Sequence, residues 1–109
     1  MDDIGTRRIA LNQVALRELN EAITGGRRDG VIAFRCECGQ LGCNRLIPLR
    51  RAMYEAVRGD SRRFAIAPGH VVAELEHVVE SYPDHAVVEA HPHTAAFAER
   101  SDPRSARAH

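Results

Sequence analysis

Residues 31–43 read VIAFRCECGQLGC and contain all three cysteines of the 109-residue chain. The first four residues of this segment predict a β-strand. Cys36 and Cys38 are two residues apart, so on an extended backbone their sulfurs point to the same side and can reach one ion, whereas Glu37 is expected to point out. The segment therefore predicts a strand that ends in a metal-binding loop.

The return of the chain to Cys43 contains Gly39 and Gly42. Glycine lets such a loop fold tightly and turn backbone N–H groups towards the sulfurs, which stabilises thiolates. Downstream, Pro68-Gly69-His70 forms a turn after a predicted strand over Arg63–Ala67, where an imidazole ligand would be presented. Three thiolates and one imidazole form a tetrahedral set that zinc prefers. The predicted ligands of one Zn²⁺ are therefore Cys36, Cys38, Cys43 and His70.

Several alternatives to this site remain open at the level of sequence. Water or another histidine could take the fourth position, and the other histidines are His77, His85, His91, His93 and His109. A [2Fe–2S] cluster suits these ligand types, although the spacing does not match the common cluster motifs. The cysteines could also form a redox dithiol or be buried as small apolar residues.

The composition indicates why a metal would stabilise this domain. Aromatic residues make up 5% of the chain and tryptophan is absent, so the core is small. A bound ion would crosslink two strands and the His70 turn. Such a crosslink is worth on the order of 10 kcal/mol of apparent folding free energy.

The segments on either side of the cysteines predict helices and strands. Residues 6–24 predict a helix with Thr6 as its N-cap and Gly25-Gly26 as its end. An apolar stripe on this helix consists of Ile9, Leu16, Leu19 and Ile23. Arg45–Leu49 predicts a second strand, and residues 50–58 a short helix. The inward-facing residues predicted there are Leu49, Met53 and Val57.

The C-terminal part of the chain is ambiguous in one place. Residues 73–81 fit a helix, but Glu76–Val79 also fits a strand paired with Ala86–Glu89. The turn Tyr82-Pro83-Asp84 favours the hairpin. We therefore expect one domain over residues 6–90. Residues 91–109 lack periodicity and predict a disordered tail.

Charge and hydropathy argue against several classes of function. All fifteen basic residues are arginine, and fifteen acidic residues bring the net charge to zero, which disfavours a nucleic-acid-binding module. Residues 1–63 carry a net charge of +4 and residues 64–99 one of −6, which suits a bipolar docking surface. No apolar run suggests secretion or membrane insertion, so a cytoplasmic location is expected. Glu74, Glu76, Glu80 and Glu89 predict a solvated acidic face, since no nucleophile accompanies them.

Over about residues 8–90, the chain resembles a family of small uncharacterised proteins common in high-GC bacteria. The resemblance is carried by Phe34-Arg35-Cys36-Glu37-Cys38, Cys43, Ile47-x-Leu49, Tyr54-Glu55-Ala56-Val57-Arg58, Arg63-Phe64, Pro68-Gly69-His70, Glu76-x-Val78-Val79-Glu80 and Val87-Val88-Glu89. It implies that the three cysteines and His70 belong to one site, and it implies no activity. Members usually have threonine where this chain has Arg50, and lysine where it has Ala90.

These observations together predict a zinc-stapled α+β domain, with an N-terminal helix and a small, mostly antiparallel sheet interrupted by one short helix. The predicted function is a non-enzymatic regulatory or protein-interaction module. Its partner would be another protein or a second copy of the chain, bound through the apolar stripe. The alternative is a thiol-based redox switch that releases zinc on oxidation.

Overall fold

The structure is a computed structural model that describes residues 3–26 and 30–104. In chain order its elements are α1 (Asp3–Gly25), β1 (Val31–Arg35), β2 (Leu46–Arg50), α2 (Arg51–Arg58), β3 (Arg63–Ile66), β4 (Glu76–Ser81), β5 (Ala86–Ala90) and α3 (Pro92–Arg100). The α+β class, the N-terminal helix and the inserted short helix are confirmed. Within the described ranges, none of the helices combines the length and hydropathy that crossing a bilayer requires.

The five strands of the described residues form two antiparallel sheets. Strand β1 pairs with β2, and β5 lies between β3 and β4. The pairing of β4 with β5 runs from Glu76↔Ala90 to Ser81↔Ala86, which confirms the predicted hairpin over the helical alternative for residues 73–81. At the turn, the backbone N–H of Tyr82 donates to the carbonyl of His85 at 2.9 Å.

The two sheets replace the single sheet expected from sequence. Helix α2 follows β2 directly and carries the chain away before β3 begins. One residue joins the sheets: the backbone N–H of Glu37 donates to the carbonyl of Ala65 at 2.8 Å, and the Glu37 carboxylate accepts from the N–H of Ala65 at 2.9 Å.

The fully buried side chains of helix α1 are polar, while Val14 and Ile23 pack on the hydrophobic core from partly buried positions. The buried residues of α1 lie four, three and four positions apart, on one face, and they are Gln13, Arg17, Asn20 and Thr24. The predicted apolar stripe lies beside this face and is only partly covered, with Leu19 still 50% exposed. Thr6 lies inside the helix and not at its start, because α1 already includes Asp3.

The buried polar face is tolerated because its members have partners. Arg17 donates to the carbonyl oxygens of Ser61 at 2.7 Å and Ala98 at 2.8 Å. Its guanidinium carbon also lies 4.8 Å from the centroid of the Phe64 ring. Hydrogen bonds and a cation–π contact offset the cost of removing the charge from water. Arg17 thereby links α1 to both β3 and α3.

Helix α2 turns a different residue inward from the one predicted. Leu49 and Val57 are buried as expected, but Met53 is 36% exposed. Tyr54 takes the inward position and is fully buried, with its ring stacked on Phe34 at a centroid distance of 4.3 Å. The larger ring buries more apolar area than methionine and also brings a hydroxyl group to the interior.

The expectation of a disordered tail over residues 91–109 is corrected for residues 92–104. Helix α3 begins with Pro92 in its first turn and buries Ala98. Beyond it, Asp102 is buried and forms an ion pair with Arg58 of α2. The packed body therefore extends past residue 90, because these tertiary contacts stabilise a segment whose local pattern is weak. Residues 105–109 lie outside the described residues.

Candidate metal centre

Four side chains from two segments of the chain, residues 36–43 and the turn that carries His70, lie close together. One ligand atom from each of Cys36, Cys38, Cys43 and His70 lies within 4.8 Å of the other three. Nδ1 of His70 is 3.6 Å from the sulfur of Cys36 and 3.6 Å from that of Cys43. A tetrahedral zinc with Zn–S of about 2.3 Å and Zn–N of about 2.0–2.1 Å places its sulfur and nitrogen ligands about 3.6 Å apart. The two sulfur–nitrogen separations are therefore compatible with ligands around one ion.

Backbone hydrogen bonds fix the positions of the first two sulfurs. The N–H of Cys36 donates to the carbonyl of Arg45 at 2.9 Å, which continues the β1–β2 pairing by one step. The sulfur of Cys36 accepts from the N–H of Ala67 at 3.1 Å, and that of Cys38 from the N–H of Gln40 at 3.5 Å. Such N–H groups stabilise thiolates, as the glycine-containing loop predicts.

His70 is presented by the predicted turn. Gly69 has a φ of 82°, and the N–H of His70 donates to the carbonyl of Ala67 at 3.1 Å. The side chain of Gln40 donates to the carbonyl of His70 at 2.9 Å, which ties this turn to the cysteine loop. In the described residues the other histidines lie outside the cluster. His109 lies outside the described residues.

The thiol groups differ in their electrostatic surroundings. Burial raises the pKa of Cys36, and it raises the pKa of Cys38 to about 12. At Cys43 burial acts in the same direction, but hydrogen bonds from the Arg45 backbone and with the other two thiols outweigh it and lower the pKa. A bound cation favours the thiolate form at all three positions by direct attraction. A metal bound at this cluster would therefore favour ionisation of the two buried thiols.

Glu37 does not point out, contrary to the expectation from its position between the two cysteines. Its side chain lies in the protein interior, and the residue is 0% exposed. The carboxylate accepts hydrogen bonds from the hydroxyl of Tyr54 at 2.6 Å, from the side-chain amide of Asn20 at 2.9 Å and from the N–H of Ala65. Burial raises its pKa, and these three donors oppose the rise. Glu37 thereby joins the cysteine loop to α1, α2 and β3.

The sequence did not predict these hydrogen bonds, which hold the cysteine loop against α1, α2 and β3. Asn20 is the most specific of the residues involved, because its amide donates to the carbonyl of Arg35 and its oxygen accepts from the N–H of the same residue, both at 2.9 Å. The amide therefore pairs with the free edge of β1 directly before Cys36. The spacing of Gln13, Arg17, Asn20 and Thr24 was the signal that could have indicated a buried polar face.

Helix α1 also rests directly on the cysteine loop. Asn12 donates to the carbonyl of Gly39 at 3.0 Å. A Cβ atom at Gly39 would lie 2.4 Å from the carbonyl oxygen of Ile9 and 2.8 Å from Cγ of Gln13. Only glycine allows this approach, and its φ of 74° also favours glycine.

The variant Gly39→Ala is expected to destabilise the protein by about 3 kcal/mol or more, since the alanine adds left-handed backbone strain to a clash with the α1 backbone. Gly42→Ala is the matched control, because Gly42 has a φ of 80° and a Cβ atom added there would meet nothing within 4 Å. We expect Gly42→Ala to lose only about 1–2 kcal/mol. Urea denaturation of both variants measures the difference, and equal losses would contradict the close approach.

Of the four acidic residues, Glu74 is exposed, whereas Glu76, Glu80 and Glu89 have partners in the fold. Glu76 is buried, against the expectation of a solvated face, and accepts from the side chain of Gln13 and from the N–H of Val72. Glu80 and Glu89 both pair with Arg63. Their partners are thus within the fold itself.

Comparison of the chain with protein-family models, with curated proteins and with solved structures finds no match. The resemblance to small proteins of high-GC bacteria stays a prediction.

Proposed function

We propose that the chain is a zinc-stabilised, non-enzymatic module in which Cys36, Cys38, Cys43 and His70 bind one structural Zn²⁺. The observation that carries this proposal is the pair of 3.6 Å sulfur–nitrogen separations within a cluster of four ligand atoms. Three thiolates and one imidazole satisfy the four positions that structural zinc prefers. Catalytic zinc needs an open position for water or substrate, and a complete ligand set leaves none.

The module would act by binding a protein partner or a second copy of itself through the apolar stripe of α1. Leu19 is 50% exposed, and Leu11 on the same helix is 51% exposed. Ile9, Leu16 and Ile23 are only partly covered. A helix that packs through a polar face and leaves leucines in solvent has apolar surface available for a partner.

Elemental analysis of the untagged protein, together with a UV–visible spectrum, tests the metal. We expect one colourless zinc per chain, with less than a tenth of that content in Cys38→Ser and His70→Ala. Retention of zinc by His70→Ala would mean a different fourth ligand or an open position, and would contradict the structural site. A brown protein that contains iron would indicate that the site holds an iron–sulfur cluster and not zinc.

The redox switch is less well supported by the geometry. It requires oxidation of Cys36 and Cys38, which are 2% and 0% exposed, so an oxidant has no direct access to them. In that reaction one peroxide would convert two thiolates and two protons to a disulfide and two waters, with release of zinc. Zinc release at sub-stoichiometric peroxide would favour the switch over the structural site.

A further inference from the structure

A cleft of about 650 Å³ lies between the N-terminal half of α1, the segment before β4 and helix α3. Its size falls within the range of small-molecule sites, roughly 300–1,000 Å³. It shares no lining residue with the cysteine cluster. Its apolar lining consists of Ala10, Leu11, Leu75 and Phe97. The cleft exists only because α3 packs on the domain, which the sequence did not predict.

Two opposite charges line the same cleft without neutralising each other. Arg7 comes from α1 and Glu74 from the turn before β4, and both side chains are exposed. Neither forms an ion pair with any residue in the described parts of the chain. Elsewhere on the protein, Arg63 pairs with Glu80 and Glu89. The cleft therefore offers the cationic group of Arg7 and the anionic group of Glu74 to a ligand, and the imidazole of His93 also lines it.

The hydroxyl group of Thr94, which also lines the cleft, is less available to hydrogen-bond a ligand. It donates to the carbonyls of Leu75 and His91 at 3.0 and 3.1 Å, so it serves to fix α3. A ligand that suits the cleft thus needs an apolar body, one negative group for Arg7 and one positive group for Glu74. A fatty acid would leave Glu74 without a partner, and an apolar amine would leave Arg7 without one.

We propose that this cleft binds a free α-amino acid with an apolar side chain. The α-carboxylate pairs with the guanidinium of Arg7, the α-ammonium pairs with the carboxylate of Glu74, and the side chain lies on Leu11, Leu75 and Phe97. Arginine favours carboxylates because its planar fork can donate two parallel hydrogen bonds. The module would then respond to this amino acid, and the proposed metal would only stabilise its fold.

Isothermal titration of the full, zinc-loaded chain with L-leucine and L-phenylalanine tests this proposal. Two analogues each remove one charge: N-acetyl-leucine lacks the ammonium, and leucinamide lacks the carboxylate. We expect each analogue to bind about tenfold more weakly than leucine or worse, since each loses a charge-assisted hydrogen bond. Equal binding of leucine and both analogues, or no heat with leucine at millimolar concentration, would overturn the proposal.

Variants assign the two contacts separately. Arg7→Gln is expected to weaken leucine binding about tenfold and to leave leucinamide binding unchanged; Glu74→Gln should do the same for leucine and leave N-acetyl-leucine unchanged. Arg8→Gln is the matched control, because Arg8 is exposed and does not line the cleft. Loss of leucine binding in Arg8→Gln to the same extent would contradict the assignment. Zinc content, measured on the same samples, reports separately on the metal centre.

Discussion

Removal of the proposed Zn²⁺ by a chelator is expected to unfold the protein. Domains of this size are stable by about 5–15 kcal/mol in total, and a structural zinc supplies on the order of 10 kcal/mol of apparent folding free energy. The ion would join β1, the cysteine loop and the turn that carries His70, and no aromatic cluster beyond Phe34, Tyr54 and Phe64 is buried among the described residues. We expect a chelator to abolish the cooperative urea transition and the dispersion of amide resonances, and added Zn²⁺ to restore both.

Two comparisons test whether the loss of the fold is specific to zinc and to the four proposed ligands. Added Mg²⁺, which prefers oxygen ligands, should not restore the fold. His70→Ala should behave as the chelated protein, whereas His77→Ala should retain the wild-type transition, because His77 is exposed and lies outside the cluster. A chelated chain that keeps its full urea transition would contradict a structural role for the metal.

The convergence of the three cysteines and His70 could be predicted because the features that indicate it are local in sequence. Two cysteines spaced by one residue directly after a strand, a glycine-containing return and a histidine at a turn each restrict the backbone, and the structure brings all four side chains together. The hairpin was likewise predictable, since Tyr82-Pro83-Asp84 marks a turn between two runs of valine.

The hydrogen bonds that hold the cysteine loop against the rest of the protein could not be predicted in the same way. Glu37 alternates with two cysteines, and alternation says which side a residue faces but not whether that side meets solvent. The Glu37 carboxylate is covered by Asn20 and Tyr54, which lie 17 residues away in sequence on either side. Helix α3 was missed for a related reason: its order depends on distant contacts, such as the bond from Arg17 to Ala98.

Truncation of Glu37 is expected to be the most destabilising change outside the four cluster residues. Glu37→Ala leaves the hydroxyl of Tyr54 and the N–H of Ala65 buried without an acceptor, at about 1–3 kcal/mol each. It also removes a fully buried side chain and opens a cavity beside the Phe34–Tyr54 stack. We therefore expect a loss of about 4 kcal/mol or more in the free energy of unfolding, measured by urea denaturation of the zinc-loaded protein.

The effect of this truncation should extend to the metal although Glu37 is not a ligand. Its backbone and carboxylate hold the Cys36–Cys38 segment against β3, so release of that segment should speed zinc transfer to a competing chelator. Glu18→Ala is the matched control, because Glu18 is exposed on α1 and should change stability by less than about 0.5 kcal/mol. Tyr54→Phe separates the two roles: it removes one donor to Glu37 and keeps the ring on Phe34, so it should lose about 1–2 kcal/mol with little change in zinc transfer. Equal stability and equal rates of zinc transfer in Glu37→Ala and Glu18→Ala would contradict this role. The buried carboxylate would then not hold the cysteine loop against the core.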